Sequence, residues 1–219
     1  MTARRSLGRP SDEELFQVAD EGAETAFAEV VGRHADAVFN HCLRWMGYDS
    51  EAEDVTSMTF FEAWRKRRTV RFVEGSALPW LLVVATNVAR NQTRGRRRYE
   101  RMLAKLPKSE SAPDVADEAI RHVDAERKAA KIAACVRTLR RPEQDVVALC
   151  DMSGLSYAEA ATALGIPIGT VRSRLSRARE RLRPMLAELD EPGHSPSIPS
   201  AGCVAGAPRS TSTSRGDQP

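Results

Sequence analysis

The chain has 219 residues, which at roughly 150 residues per domain suggests one or two domains. Apolar residues make up 42% and aromatics only 5%, enough for hydrophobic cores, but no apolar run approaches the roughly 20 residues of a membrane span. The basic start, Met1 to Pro10, has no apolar stretch behind it, which argues against a secretory signal, and four scattered cysteines (Cys42, Cys135, Cys150, Cys203) without a Cys-x-x-Cys pair argue against a disulfide framework and for the reducing cytoplasm.

The net charge of +3 conceals long blocks of opposite sign. Residues 1–11 carry +3, 12–62 carry −11, 65–101 carry +9, 102–126 carry −3, 127–189 carry +6 and 190–219 carry −1. Blocks this long suggest one surface for an anionic polymer and another for a different partner.

In chain order, the first 10 residues read as a flexible arm. Ser11 and Glu14 have capping-box spacing and open a short helix to about Asp20. A long helix runs from after Gly22 to Met46, with Phe27, Val30, Val31, Val38, Cys42 and Met46 at helical spacing and Gly47 as its stop. Ser50 and Glu53 form a second capping box. The helix they open reaches about Lys66 and places Val55, Met58, Phe61 and Ala63 or Trp64 at helical spacing. Residues 67–77 are an irregular basic loop. Pro79 lies in the first turn of the next helix, where proline is tolerated. That helix begins with an apolar stripe (Trp80, Leu81, Val84, Ala85, Val88) and ends in Asn91-Gln-Thr-Arg-Gly-Arg-Arg-Arg98.

Residues 102–126 lose periodicity and gain proline, serine and acids, a linker composition. A second helical block follows. Ile132, Val136 and Leu139 mark one helix, and Pro142 opens another with Val146, Val147, Leu149 and Cys150. Ser156 and Glu159, a third capping box, start a short helix that ends at Gly165, and Pro167 precedes a last helix to about Leu189. Half of residues 190–219 are Pro, Gly or Ser, so no packed structure is expected there. With no strand-like alternation, the expected fold is all-α: two small helical domains, 11–101 and 127–189, joined by a flexible linker at 102–126 and followed by a disordered tail at 190–219.

Three segments carry chemistry. A short helix, a turn containing Gly165 and an arginine-rich helix make a helix-turn-helix pattern over 156–183. At about 100° per residue, Val171, Leu175, Ala178 and Leu182 form one narrow stripe facing a core. The opposite face carries Ser173, Ser176, Arg177 and Glu180, flanked by Arg172, Arg179 and Arg183 on one edge and Arg174 and Arg181 on the other. Such a helix fits the major groove, its outward side chains reading base edges and its flanking arginines sitting on phosphates. The second segment is the basic helix end at 90–98. There Asn87, Asn91 and Arg94 share a face, and amides beside cations suit base edges and a neutralised backbone; a plain solvated helix end is the other reading. In the third, Glu51, Glu53 and Asp54 precede Phe60, Phe61 and Trp64. Some of those aromatics must be core, and a capped amphipathic helix with no further role is the other reading.

In this order and spacing, the three segments resemble the extracytoplasmic-function (ECF) sigma factors of bacterial RNA polymerase. Gly-Thr-Val-Arg-Ser-Arg-Leu-Ser-Arg-Ala-Arg-Glu-Arg-Leu-Arg at 169–183 is similar to that family's promoter-reading helix. Glu-Asp-Val-Thr…Phe-Phe-Glu-Ala-Trp at 53–64 is similar to its polymerase-binding helix, and Pro-Trp-Leu-Leu-Val-Val-Ala-Thr-Asn-Val-Ala-Arg-Asn at 79–91 to its minus-ten-reading helix. The resemblance implies region 2 at 11–101, region 4 at 127–189 and a connecting linker. It implies that Thr170, Arg172, Ser173, Arg174, Ser176 and Arg177 contact the minus-thirty-five element. Trp80, Asn87, Arg90, Asn91 and Arg94, with the 71–78 loop, would hold the melted minus-ten strand, the loop capturing an extruded base. Glu53, Asp54, Thr56, Phe60 and Trp64 would bind polymerase core. The implied partners are the clamp of the largest polymerase subunit, the flap of the second subunit, promoter DNA as duplex and as melted strand, and an anti-sigma protein; membrane insertion is not among them. The sequence departs from the family pattern in two places. Ser57-Met58 stand where Gln-Glu usually follow the Asp-x-x of the polymerase-binding helix, and Asn91 stands where many members have Asp.

No enzyme signature competes. His34 and His41 lie seven apart, which matches no His-Glu-x-x-His zinc site, and no phosphate-binding Gly-x-x-x-x-Gly-Lys-Ser/Thr loop is present, so neither metal nor cofactor is expected. The rival is a helix-turn-helix regulator that binds duplex DNA without polymerase. It accounts for 127–186 but leaves the acidic helix and the cationic helix with Trp80, Asn87 and Asn91 unexplained.

Overall fold

The structure, a computed structural model, describes residues 9–47, 49–103 and 120–190. The expected tail from residue 191 onward, the arm before residue 9 and the linker's middle at 104–119 lie outside the described residues. Helices α1 (Asp12–Asp20), α2 (Glu24–Met46), α3 (Asp49–Arg65) and α4 (Leu78–Leu103) form a first lobe. Helices α5 (Ile120–Thr138), α6 (Arg141–Val146), α7 (Tyr157–Leu164) and α8 (Ile168–Asp190) form a second. Among the described residues there is no strand, only an isolated antiparallel bridge between Val73 and Ser76. No described helix is long and apolar enough to cross a membrane.

Both ends of the expected linker are helical, since α4 continues through Leu103 and α5 begins at Ile120. The polar end of α4 needs no apolar stripe to remain helical. It is rich in arginine, which loses little rotamer freedom in a helix.

Local chemistry sets the ends of the elements. Glu14 N–H donates to Ser11 Oγ at 3.2 Å and Ser11 N–H to Glu14 Oε2 at 2.9 Å, completing the first capping box. Ser156 and Glu159 repeat it at α7. α2 stops at Gly47 with φ 82°, a left-handed cap that favours glycine. The Gly47 backbone also lies against Ala130 of α5, so that a Cβ there would come within 2.8 Å of the Ala130 Cα. α3 begins at Asp49, one residue before the expected cap, Ser50. α6 passes into a single π-helical turn, Val147–Asp151, which the sequence pattern does not announce.

Asp12, in the first turn of α1, is almost fully buried and organises the base of the 71–77 loop. Its N–H donates to Gly75 O at 3.1 Å, and its Oδ2 accepts from Ala77 N–H at 2.8 Å. His34 Nε2 lies 2.6 Å from that same oxygen, and Arg33 is 3.1 Å from Oδ1. Burial pushes the carboxyl pKa up, but the Ala77 N–H, His34 and Arg33 together outweigh it and hold Asp12 below its ordinary value.

One correction concerns α3. The stripe expected at Val55, Met58 and Phe61 is rotated: Ala52, Val55, Thr59, Phe60 and Ala63 are buried, while Met58 and Phe61 face outward. Thr59 can occupy the inner face because its hydroxyl donates to Val55 O at 2.7 Å.

The apolar core runs from the first lobe into the second, from Leu15 and Phe16 through Val30, Trp45 and Leu81 to Leu149, Val171 and Leu175. α2 packs on α5, and α4 packs on α7 and the π turn. His41 of α2 sits at this junction, fully buried. Its Nε2 is 2.9 Å from Thr86 Oγ1 and its Nδ1 is 2.6 Å from Ser153 Oγ. The Thr86 hydroxyl gives its proton to Leu82 O, so His41 carries its hydrogen on Nε2 and accepts at Nδ1. Burial, with the Arg44 charge adding to it, pushes the His41 pKa down from 6.5 to about 3. The unfolded chain therefore takes up a proton that the folded chain refuses. Stability is full above pH 6.5 and falls as pH drops toward 3, by about 1.4 kcal/mol per unit. Urea unfolding at pH 6.5 and pH 5 is expected to differ by about 2 kcal/mol from this residue, and His41→Gln should flatten the slope. An unchanged slope in the variant would refute the assignment.

Candidate nucleic-acid interface

Two arginine-rich helices dominate the surface. On α8, Val171, Leu175, Ala178 and Leu182 are buried, as their spacing predicts. Arg172, Ser173, Ser176 and Arg177 are exposed, and Thr170 and Arg174 are half-buried beside them. The turn that aims α8 is set by Gly165, which caps α7 at φ 66°. The flanking arginines divide in a way the sequence does not reveal. Arg179 is held 2.5 Å from Asp151 and Arg181 2.7 Å from Glu143, so both brace α8 onto its own lobe. The outward set of Arg172, Ser173, Ser176 and Arg177 is thus mounted on a helix fixed by four apolar contacts and two ion pairs, a rigid comb of donors of major-groove width.

The five expected minus-ten residues all lie on α4, but they do not form one exposed face. Trp80 is only 6% exposed and packs edge-on against Phe16, with centroids 6.3 Å apart, so it belongs to the core. Arg90 is equally buried. Its Nε donates to Gln144 Oε1 at 3.1 Å and its Nη2 to Asp145 Oδ1 at 2.5 Å, both partners on α6. Asn87 is half-buried; its Oδ1 accepts from Arg90 Nη1 at 3.1 Å and from Arg141 Nη2 at 2.9 Å. Asn91 and Arg94 are exposed, and with Gly95, Arg98 and Arg101 they line an open groove. On the inner side of α4, a cavity of about 240 Å³ is bordered by Trp45 and by Arg90, Arg94, Arg137 and Arg141.

The 71–78 loop is compact. A Val73–Ser76 bridge closes around Glu74 at φ 50° and Gly75 at φ 79°, and Asp12 ties it to α1. Arg71 reaches out of it to the second lobe, donating to Ala163 O at 3.4 Å and lying over Gly165.

On α3 the expected set also divides. Glu53 and Asp54 are exposed, while Thr56 is half-buried with its hydroxyl on Ala52 O. Phe60, at 8% exposure, is in the core, and Trp64 is half-buried between Phe27 and Arg67. Phe61, which the sequence reading placed on the inner stripe, is 62% exposed beside Met58 and under the Arg65 guanidinium. The small residues Ala52 and Ala63 mark the inner face of α3, and their spacing was the signal that could have found Phe61.

Two helical lobes, one carrying a helix-turn-helix and the other a cationic helix beside an acidic one, define a DNA-binding protein of the sigma-70 class. The family model for Sigma-70 region 2 matches residues 30–99, and that for Sigma-70, region 4 matches residues 129–182. The chain is 36% identical over 187 residues to the ECF RNA polymerase sigma factor SigE of Mycolicibacterium smegmatis, covering 82% of this chain and 70% of that one. It is 30% identical over 200 residues to the RNA polymerase sigma-H factor of Pseudomonas aeruginosa, covering 83% and 99%. Among solved structures, CnrH in complex with the cytosolic domain of CnrY matches its fold with a TM-score of 0.54 at 24% identity, over 81% of this chain and 97% of that one. The chain belongs to the ECF RNA polymerase sigma factors. Its function is to direct core polymerase to promoters, and the rival reading as a duplex-binding regulator without polymerase is not favoured.

Proposed function

We propose that this sigma factor works by binding alone, in the cytoplasm, with the second lobe on duplex DNA and the first on the melted strand. The observation that carries the reading is α8, whose apolar stripe is locked into the core while Arg172, Ser173, Ser176 and Arg177 point away from it. Those four, with Thr170 and Arg174, would read the minus-thirty-five element. Asn87, Asn91 and Arg94, with Arg90 once it is released from α6, would hold the minus-ten strand. The groove at Asn91 and Arg94, with Arg98 and Arg101 along it, suits a phosphate backbone. The polymerase clamp would meet the exposed α3 face of Glu53, Asp54, Met58 and Phe61, an apolar patch beside two acids, and the flap of the second subunit would meet the second lobe. CnrH was solved with the cytosolic domain of CnrY; for this chain too a protein partner is proposed, and the reading of it is an anti-sigma protein.

Trapping the strand shifts the closed-to-open equilibrium of the promoter, because unpaired bases gain contacts that paired bases lack. Run-off transcription with sigma-free core polymerase on a pool of random promoters is expected to yield a selected promoter class; no initiation would overturn the reading. On a selected promoter, Asn87→Ala should lower permanganate reactivity of the melted strand while duplex binding stays the same. Unchanged reactivity would remove Asn87 from the strand site.

A further inference from the structure

The cavity of about 240 Å³ on the inner side of α4 differs in kind from the open groove on its outer side. Its walls come from α2, α4, α5 and α6, which one continuous apolar core holds together, so the space is preformed. Trp45 and Arg90 are buried and make its floor, while Arg94 and Arg141 are exposed at its rim. Arg137, half-buried, donates from Nη1 to Trp45 O at 2.8 Å. Gln144 fixes one wall: its Nε2 donates to Arg137 O at 3.0 Å and to Leu139 O at 2.9 Å, and its Oε1 accepts from Arg90 Nε at 3.1 Å. Arg141 is held by a neutral oxygen, Asn87 Oδ1 at 2.9 Å. Among the described residues the lining holds four guanidiniums and no carboxylate; Asp145, outside the lining, pairs with Arg90 alone of these four at 2.5 Å. Trp45 adds a further donor. It is about 1% exposed, and its indole N–H has no hydrogen-bond partner among the described residues. Buried donors are ordinarily satisfied, and a ligand oxygen is one group that satisfies them.

We propose that this cavity binds a diphosphate group, the chemistry shared by inorganic pyrophosphate and a nucleoside diphosphate. A guanidinium is a planar fork that matches phosphate oxygens two at a time. One phosphate has too few free oxygens for four such forks, whereas two linked phosphates offer five or six. The cavity is smaller than the roughly 300–1,000 Å³ of sites that enclose a drug-sized ligand. It therefore takes the diphosphate inside and leaves any nucleoside at the rim beside Arg94 and Arg141. The bound anion also offsets the mutual repulsion of crowded guanidiniums, which is strongest where water is scarce. The site shares Arg90 and Arg94 with the strand reading but does not rest on it, because Trp45, Arg137 and Arg141 have no part there. It uses the lobes as they are packed and requires no rearrangement of them.

The test is titration calorimetry of the full chain with pyrophosphate, a nucleoside diphosphate and orthophosphate, with thermal melting alongside. Pyrophosphate should bind one to one and at least tenfold tighter than orthophosphate. At about a hundred times its Kd it should raise the melting temperature by about 5–10 °C. Arg94→Gln and Arg141→Gln change exposed rim positions, and each should weaken binding by about tenfold or more, the loss for one charge-assisted contact. Arg98→Gln is the control: it removes one charge from the outer groove of the same helix and should leave diphosphate affinity as it is. A nucleoside diphosphate that binds tighter than pyrophosphate identifies a nucleotide as the source, and one that binds weaker identifies the inorganic anion. Failure of both diphosphates to bind overturns the proposal. Equal affinity for orthophosphate and pyrophosphate overturns the diphosphate class. If Arg98→Gln weakens binding as much as Arg141→Gln does, the anion is held by general positive charge or by the outer groove, and the cavity is not its site.

Discussion

Replacing Asp12 with alanine is expected to cost the protein about 3–5 kcal/mol, the range for removing one partner of a buried ion pair. Arg33 is largely buried and stays behind, anchored to Glu29 at 2.5 Å but without its second carboxylate. The Ala77 N–H, also buried, loses its acceptor. Asp12→Asn keeps an oxygen for that N–H but not the charge, so it should fall between alanine and the wild type. The measurement is the urea midpoint at neutral pH, and a loss below about 1 kcal/mol, the ceiling for exposed pairs, would contradict this account. The pH dependence has a defined sign. Asp12 is held below its ordinary 3.8, so its contribution is present above that value and lost as pH falls beneath it. That window lies below the one in which His41 dominates, so the two titrations can be separated. There is also a functional consequence. The loop proposed to receive an extruded base is pinned through Gly75 O and Ala77 N–H, so strand capture should weaken along with the fold.

Asp12 also illustrates what a single sequence conceals. Its spacing from Ser11 and Glu14 announces a helix start, and the structure agrees. Its partners lie 21, 22 and 65 residues away, and no local pattern points to them. α8 was legible because both of its faces are written locally: an inner stripe at spacings of four and three, an outer run of serines and arginines, and Gly165 ahead of them. α3 was misread by one helical position. Val55, Met58 and Phe61 form an apolar stripe as regular as the true one of Ala52, Val55, Thr59 and Ala63, and the larger residues attract the eye. The packing of α3 against both α2 and α4 selects the smaller ones. Arg90 is the deeper case. Its type and position on a cationic helix suggest nucleic acid, yet its contacts are with Gln144 and Asp145, more than fifty residues away, and only the docking of the second lobe reveals them.

The opposite faces of α8 give the sharpest test, because one helix should yield two unlike failures. Leu175 is about 1% exposed and its side chain reaches the centre of the second lobe. Leu175→Ala should destabilise that lobe by about 2–5 kcal/mol, the transfer and cavity terms together, seen as a lower melting temperature. DNA binding should be lost only where the lobe unfolds. Arg177 is exposed, and its one internal bond, Nε to Ser173 O at 3.1 Å, lies on the helix surface. Arg177→Ala should therefore leave melting within about 0.5 kcal/mol of the wild type, as surface substitutions do. It should weaken holoenzyme binding at one base pair of the minus-thirty-five element by about 1–3 kcal/mol, and Arg172→Ala should do the same at a neighbouring pair. An equal loss on every sequence, with a shallower salt dependence, would move that arginine from base to phosphate. A destabilised Arg177→Ala protein, or a Leu175→Ala protein as stable as the wild type, would mean that α8 is rotated relative to the lobe, with its proposed reading face turned away from DNA.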